Sequence, residues 1–177
     1  PRDVLSFRRS NYFEAIGAEC RNVHEAVGVL DLTAFAKTRV SGPGAEAWLD
    51  GLVANRLPGP GRVRLGHILS ANGGVRSEFT IMRDGPDAFT LVSAAAGERH
   101  DTDTLEKALP AGGGVRLESL TEAIGVLVLA GPRSRDVLAR LSDADLSSAA
   151  FPWMSERNID IGAAQVRAAR VSYVGEL

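Results

Sequence analysis

The amino-acid sequence predicts an α+β protein, and three observations predict it. Residues 75–82 and 89–93 read as two strands, and the Asp84-Gly85-Pro86-Asp87 tetrapeptide between them breaks pairing and reverses the chain into a hairpin. A twelve-residue pattern occurs twice: SGPGAEAWLDGL, from Ser41 to Leu52, matches AGPRSRDVLARL, from Ala130 to Leu141, at an offset of 89 residues. Finally, 45% apolar and 24% charged residues in a chain of 177 are the proportions of a globular domain with one substantial core.

The elements follow in order. Phe13, Ile16, Cys20, Val23 and Val27 fall on one side of a helix expected near residues 13–26. Lys37 to Val40 is a strand candidate leading into the first copy of the repeat. In each copy a Pro falls at the first helical turn, where its missing N–H is harmless and its fixed φ suits a helix. Apolar groups then recur at Ala45, Trp48, Leu49 and Leu52, and in the second copy at Val137, Leu138 and Leu141, with Ser134 weakening that stripe. A helix is expected over residues 98–109, and strands over 115–120, 125–130 and 165–173. Ala111 to Gly114 separates halves of about 11–110 and 115–177, too short a separator for an interdomain linker. We expect one unit built twice over.

In the hairpin, period two puts Val75, Ser77, Phe79 and Ile81 on one face and Arg76, Glu78, Thr80 and Met82 on the other. Glu78 therefore lies on a solvated face or lines a cleft. The preceding Gly73-Gly74 pair permits close backbone approach to a ligand, and equally forms a plain turn. Cys20, on its helical stripe, is expected to be a small buried hydrophobe rather than a nucleophile. Cys20 and His24, one turn apart, have no further ligands nearby, so no metal is expected. His67 and His100 have ordinary structural readings, with Asp101 placed to complement the start of its helix.

Charge and composition narrow the function classes. A net charge of −2, with no Lys/Arg run and no aromatic stacking motif, argues against nucleic acid or an anionic membrane as partner. One cysteine cannot form an intramolecular disulfide, and no apolar run reaches the roughly 20 residues of a membrane span, so a cytoplasmic location is expected. Gly-x-Ser-x-Gly, Gly-x-Gly-x-x-Gly after a strand, and the P-loop are all absent. The chain opens at Pro1, and the run from Gln165 to Leu177 carries no stop signal, so a longer parent protein is expected. In Val171 to Leu177, Tyr173 and Glu176 stand close together; the ordinary reading is a strand edge with a turn, while a pocket for a flat heterocycle would use such a pair as ring contact and N–H acceptor.

Six motifs in order carry a family resemblance: Ser10-Asn-Tyr-Phe-Glu14, Gly28-Val-Leu-Asp-Leu-Thr33, Ser41-Gly-Pro-Gly-Ala45, His67-Ile-Leu-Ser-Ala-Asn-Gly-Gly74 with Glu78-Phe-Thr-Ile81, Gly125-Val-Leu-Val-Leu-Ala-Gly-Pro132 and Tyr173-Val-Gly-Glu176. From about Asn11 onward the chain resembles the folate-binding aminomethyltransferase family, which includes the glycine-cleavage T-protein and the C-terminal halves of dimethylglycine and sarcosine dehydrogenases. It looks more like the dehydrogenase branch. Where the T-protein has Asp-Asp after its Gly-Gly, this chain has Ser77-Glu78; where the T-protein has an Asn after the next strand, it has about Ala94.

The resemblance implies a cloverleaf of subdomains around a central tetrahydrofolate channel, of which this chain supplies the first part. It implies an N-methyl amine as donor and 5,10-methylenetetrahydrofolate as product, with FAD only if a flavin domain lies upstream. Glu78 would be the catalytic carboxylate near the folate nitrogens, and Tyr173 and Glu176 would be pterin-side contacts. Three other readings stand beside it: a carrier-dependent glycine-cleavage aminomethyltransferase, a non-catalytic folate-binding or scaffolding relative, and a demethylase acting on a small sulfonium or another methylated substrate.

Overall fold

The computed structural model describes residues 2, 4 and 7–172. Four helices and nine strands alternate along these residues: α1 Phe13–Glu25, β1 Gly28–Asp31, β2 Ala36–Ser41, α2 Ala45–Leu52, β3 Val63–Leu69, β4 Val75–Gly85, β5 Ala88–Ser93, α3 Glu98–Lys107, β6 Arg116–Ser119, β7 Leu127–Ala130, α4 Ser134–Leu138, β8 Ser155–Ile161 and β9 Ala164–Arg170. A five-stranded sheet runs in the order β3-β4-β5-β2-β6, with every pair antiparallel. Two two-stranded sheets, β1-β7 and β8-β9, complete the set.

The large sheet has one dry face. Val40 pairs with Phe89 and Ile81 with Leu91, so their side chains stand together, and Phe79 joins them from β4. Ala45 and Leu49 of α2 and Leu105 of α3 close over this face, and all of these residues are buried. Trp48 ties the two helices together by donating its indole N–H to the Ala108 carbonyl at 2.7 Å. A smaller cluster of Leu146, Phe151 and Ile159 forms under the β8-β9 hairpin, with Leu138 of α4 packed against it.

The repeated sequence recurs as repeated geometry. Gly42 and Gly131 both have positive φ, at +119° and +116°, and each accepts the bond that starts its helix, from Ala45 N and Ser134 N. Gly44 N donates to the Gly114 carbonyl at 3.0 Å, and Arg133 N, at the same offset, donates to the Ala26 carbonyl at 2.9 Å. The segment that meets the first copy precedes β6, while the one that meets the second precedes β1. Accordingly β1 pairs with β7 as β6 pairs with β2, so residues 13–31 accompany the second copy although they come first in the chain.

Three strands had no expectation from sequence: β1, β3 and β8. In β8 the buried residues are Ser155, Glu156 and Ile159, which leaves no apolar alternation to read. The opening helix forms where expected, but its stripe is not buried. Phe13 and Ile16 are exposed, and so is Cys20, which corrects its reading as a buried hydrophobe. The reason is packing: only the C-terminal end of α1 is covered, by Val23 over Gly28 of β1 and by the turn at Gly131, leaving Phe13, Ile16 and Cys20 exposed.

Candidate functional site

The outer face of the large sheet carries the polar groups. Strand register sets Leu65, Thr80, Val92 and Lys37 in one row across β3, β4, β5 and β2, and Val63, Met82, Thr90 and Arg39 in the next. At one end the β8-β9 hairpin is fastened on. Val63 N donates to the Met154 carbonyl at 3.0 Å, and Glu156 N to the Gly61 carbonyl at 3.0 Å. Arg167 of β9 reaches Asp84 at 2.5 Å and also binds Glu156, whose side chain is 6% exposed. Burial works against the Arg167 charge, but hydrogen bonds to Glu156 and Asp84 outweigh it and raise its pKa above the ordinary guanidinium value.

Glu78 stands at the other end of this face, six residues up β4 from Asp84, or roughly 20 Å at the rise of a strand. Its neighbours Ser77, Phe79 and Ile81 point into the core, so alternation forces its carboxylate outward, where its side chain is 49% exposed. Directly across the β3-β4 pair is His67, whose Nε2 lies 2.8 Å from Glu78 Oε2. An ionised carboxylate only accepts, so the ring N–H donates and fixes that carboxylate oxygen, leaving Oε1 available. On the β5 side, the chain leaves the sheet after Ser93, and the exposed Ala94 begins a short 3-10 turn, so no polar side chain answers Glu78 there.

Sequence reading found Glu78 and its face but gave His67 only a structural role. The signal lay in β3, whose residues Val63 to Leu69 were not read as a strand; without that pairing His67 has no partner. Gly73, with φ +82° and open space around its missing Cβ, forms the β3-β4 turn. His100 Nε2 lies 3.2 Å from the Arg76 carbonyl, on α3 and away from Glu78's row. Tyr173 and Glu176 lie outside the described residues. Among the described residues, no group of three or more His, Cys, Asp or Glu could hold a metal, and no helix is long and apolar enough to cross a membrane.

The model of the GCVT N-terminal domain family matches residues 2–177. This chain belongs to that family. Mouse mitochondrial dimethylglycine dehydrogenase is 39% identical over 97% of this chain and 20% of its own length. The alpha subunit of sarcosine oxidase from Corynebacterium sp. strain P-1 is 31% identical over 99% of this chain and 20% of its own. In three dimensions the chain resembles the glycine cleavage system aminomethyltransferase T of Bartonella henselae, with a TM-score of 0.67 and 25% identity over 78% of this chain and 37% of that one. The GCVT-family chain thus spans about a fifth of the length of these curated relatives. It has the aminomethyltransferase fold over the N-terminal part of that fold, and is related to dimethylglycine dehydrogenase and sarcosine oxidase.

Proposed function

We propose that this domain binds tetrahydrofolate on the outer face of its large sheet and helps to transfer the methylene unit of an N-methyl amine to it, giving 5,10-methylenetetrahydrofolate. The observation that carries the reading is the exposed Glu78 carboxylate, held by His67 at the edge of a partly apolar wall, in a chain 39% identical to a dimethylglycine dehydrogenase. The donor set suits the group: a pterin offers N–H donors and a flat ring, and this face offers a carboxylate acceptor beside Leu65, Thr80 and Val92.

When bound, tetrahydrofolate supplies the nitrogen nucleophiles that take up the one-carbon unit. Glu78 Oε1 accepts the proton released there, and the charge of the carboxylate stabilises a cationic iminium donor. His67 holds Oε2, so the carboxylate keeps one orientation instead of sampling several. Tyr173 and Glu176 belong to the same reading as pterin-side contacts, and FAD enters only if a flavin domain adjoins this one.

Calorimetric titration of 5-formyltetrahydrofolate into the protein at its natural length tests the reading. Micromolar binding that survives Glu78→Gln, combined with loss of methylenetetrahydrofolate formation in that variant, supports it. Absence of binding by the folded protein removes the folate reading altogether.

A further inference from the structure

The two helices that cover the large sheet are attached to it differently. The buried residues of α2 are Ala45 and Leu49, both apolar. Those of α3 are Asp101, Thr104 and Leu105, and Leu105 is the one apolar residue in that helix.

The polar groups under α3 are not compensated. The Thr104 hydroxyl is sealed from solvent and has no hydrogen-bond partner among the described residues. The same is true of Ser77, which pairs with Ile68, a residue that lines the same groove as Thr104. Asp101 is 8% exposed, and its carboxylate makes no hydrogen bond or ion pair among the described residues. Such groups lose their water when the helix docks and gain no partner in exchange. Folded proteins carry few of them, and here both unmet hydroxyls lie at one seam.

The bonds that hold α3 lie towards its ends. Glu98 accepts the Thr121 hydroxyl at 2.6 Å, and the Ala108 carbonyl accepts the Trp48 indole N–H at 2.7 Å. His100 Nε2 lies 3.2 Å from the Arg76 carbonyl, at a β-bulge: Ile68 pairs with Ser77 but Leu69 with Val75, so Arg76 is the extra residue on its strand. Beyond α3, Gly112 and Gly113 have open space around their missing Cβ atoms, so the connection can turn freely.

We propose that α3 is a detachable cover, which opens from the sheet as a unit while α2 and the strands stay folded. Opening exposes Leu105 and breaks the three end bonds, but it returns Thr104, Ser77 and Asp101 to water. It also withdraws His100 from the Arg76 carbonyl, so the bulge two residues before Glu78 is tied only while α3 is docked.

Native-state hydrogen exchange tests this on the protein at its natural length, read by mass spectrometry at rising urea below the unfolding midpoint. Corrected for intrinsic rates, residues 98–107 exchange at least a hundredfold faster than residues 45–52, and their exchange depends much less on urea. Each unmet hydroxyl disfavours the docked form about fivefold or more, so Thr104→Val combined with Ser77→Ala slows exchange over residues 98–107 at least tenfold. Failure of any one of these results overturns the proposal. Equal rates or equal urea dependence in the two helices means that α3 opens only with the whole fold, and unchanged exchange in the double variant means that buried water already meets the hydroxyls.

Discussion

His67 and Glu78 face each other across the β3-β4 pair, with Nε2 2.8 Å from Oε2, on the one face of the sheet that the helices leave uncovered. Both are substantially exposed, at 32% and 49% of their side chains, so the pair contributes little to folding, on the order of 0–1 kcal/mol. A pair with that little structural value makes a clean probe of function. Glu78→Gln should lower one-carbon transfer by about a hundredfold or more, with folate affinity changed only slightly. His67→Phe should lower transfer less, through loss of carboxylate orientation, with chemical denaturation midpoints near the parent's for both. Parent-like transfer by Glu78→Gln would remove Glu78 from the chemistry.

The two repeat glycines are irreplaceable for a reason that their sequence neighbours do not share. A Cβ on Gly42 would lie 2.5 Å from the Gly114 carbonyl oxygen, and one on Gly131 2.6 Å from those of Val23 and Ala26. Both contacts are backbone, and both φ values are positive, so alanine meets steric overlap and conformational strain together. Each alanine variant should cost about 3 kcal/mol. Gly73, also at positive φ but with open space around it, should cost only about 1 kcal/mol as alanine. Urea unfolding of the three variants checks the order; equal losses would mean that the packing of the repeat contributes nothing.

What the sequence made legible follows from how each element gets its stability. The inner face of β4 was readable because Ser77, Phe79 and Ile81 alternate, as was the Pro-led start of α2, because both signals are local. The alternation fails at Val75, which is exposed, because the bulge at Arg76 shifts its phase. β8 was unreadable because Ser155 and Glu156 are buried there by pairing with β9 and by the Arg167 contact, long-range relations that its own residues do not signal. The α1 stripe was legible as a pattern but not as a contact, since amphipathic spacing says that a face can be buried and not by what. For the site the same division holds: the face of Glu78 came from period two, whereas His67 came only from strand register.

Arg167 joins three strands by binding Glu156 of β8 and Asp84 of β4 from β9. Removing it strands the buried Glu156 charge, so Arg167→Met should cost about 3 kcal/mol, less whatever solvent recovers at its partly exposed guanidinium. The double variant Arg167→Met with Glu156→Gln should recover part of that loss, since the uncompensated charge is gone. The pH dependence has a definite sign. A raised arginine pKa keeps the interaction present at every pH below the ordinary guanidinium value, so titration upward through the neutral and mildly alkaline range should not diminish it. Thermal melts of the single and double variants across that range measure both effects.

Ser77 stands where the resemblance places the first of two T-protein aspartates, a departure that bears on the reading as a non-catalytic relative. The structure separates the two positions. Ser77 points into the helix-covered side at 4% exposure, while Glu78, next in sequence, points to the open face. The Ser77 hydroxyl is buried without a hydrogen-bond partner among the described residues, so it carries a desolvation cost and returns nothing. Ser77→Ala should therefore leave one-carbon transfer unchanged and stabilise the fold by up to about 1 kcal/mol, the cost of an unmet hydroxyl less the packing lost with the oxygen. Transfer assays beside urea unfolding decide it: a loss of transfer with unchanged stability would bring Ser77 into the site, and the departure from the T-protein pattern would then bear on the chemistry.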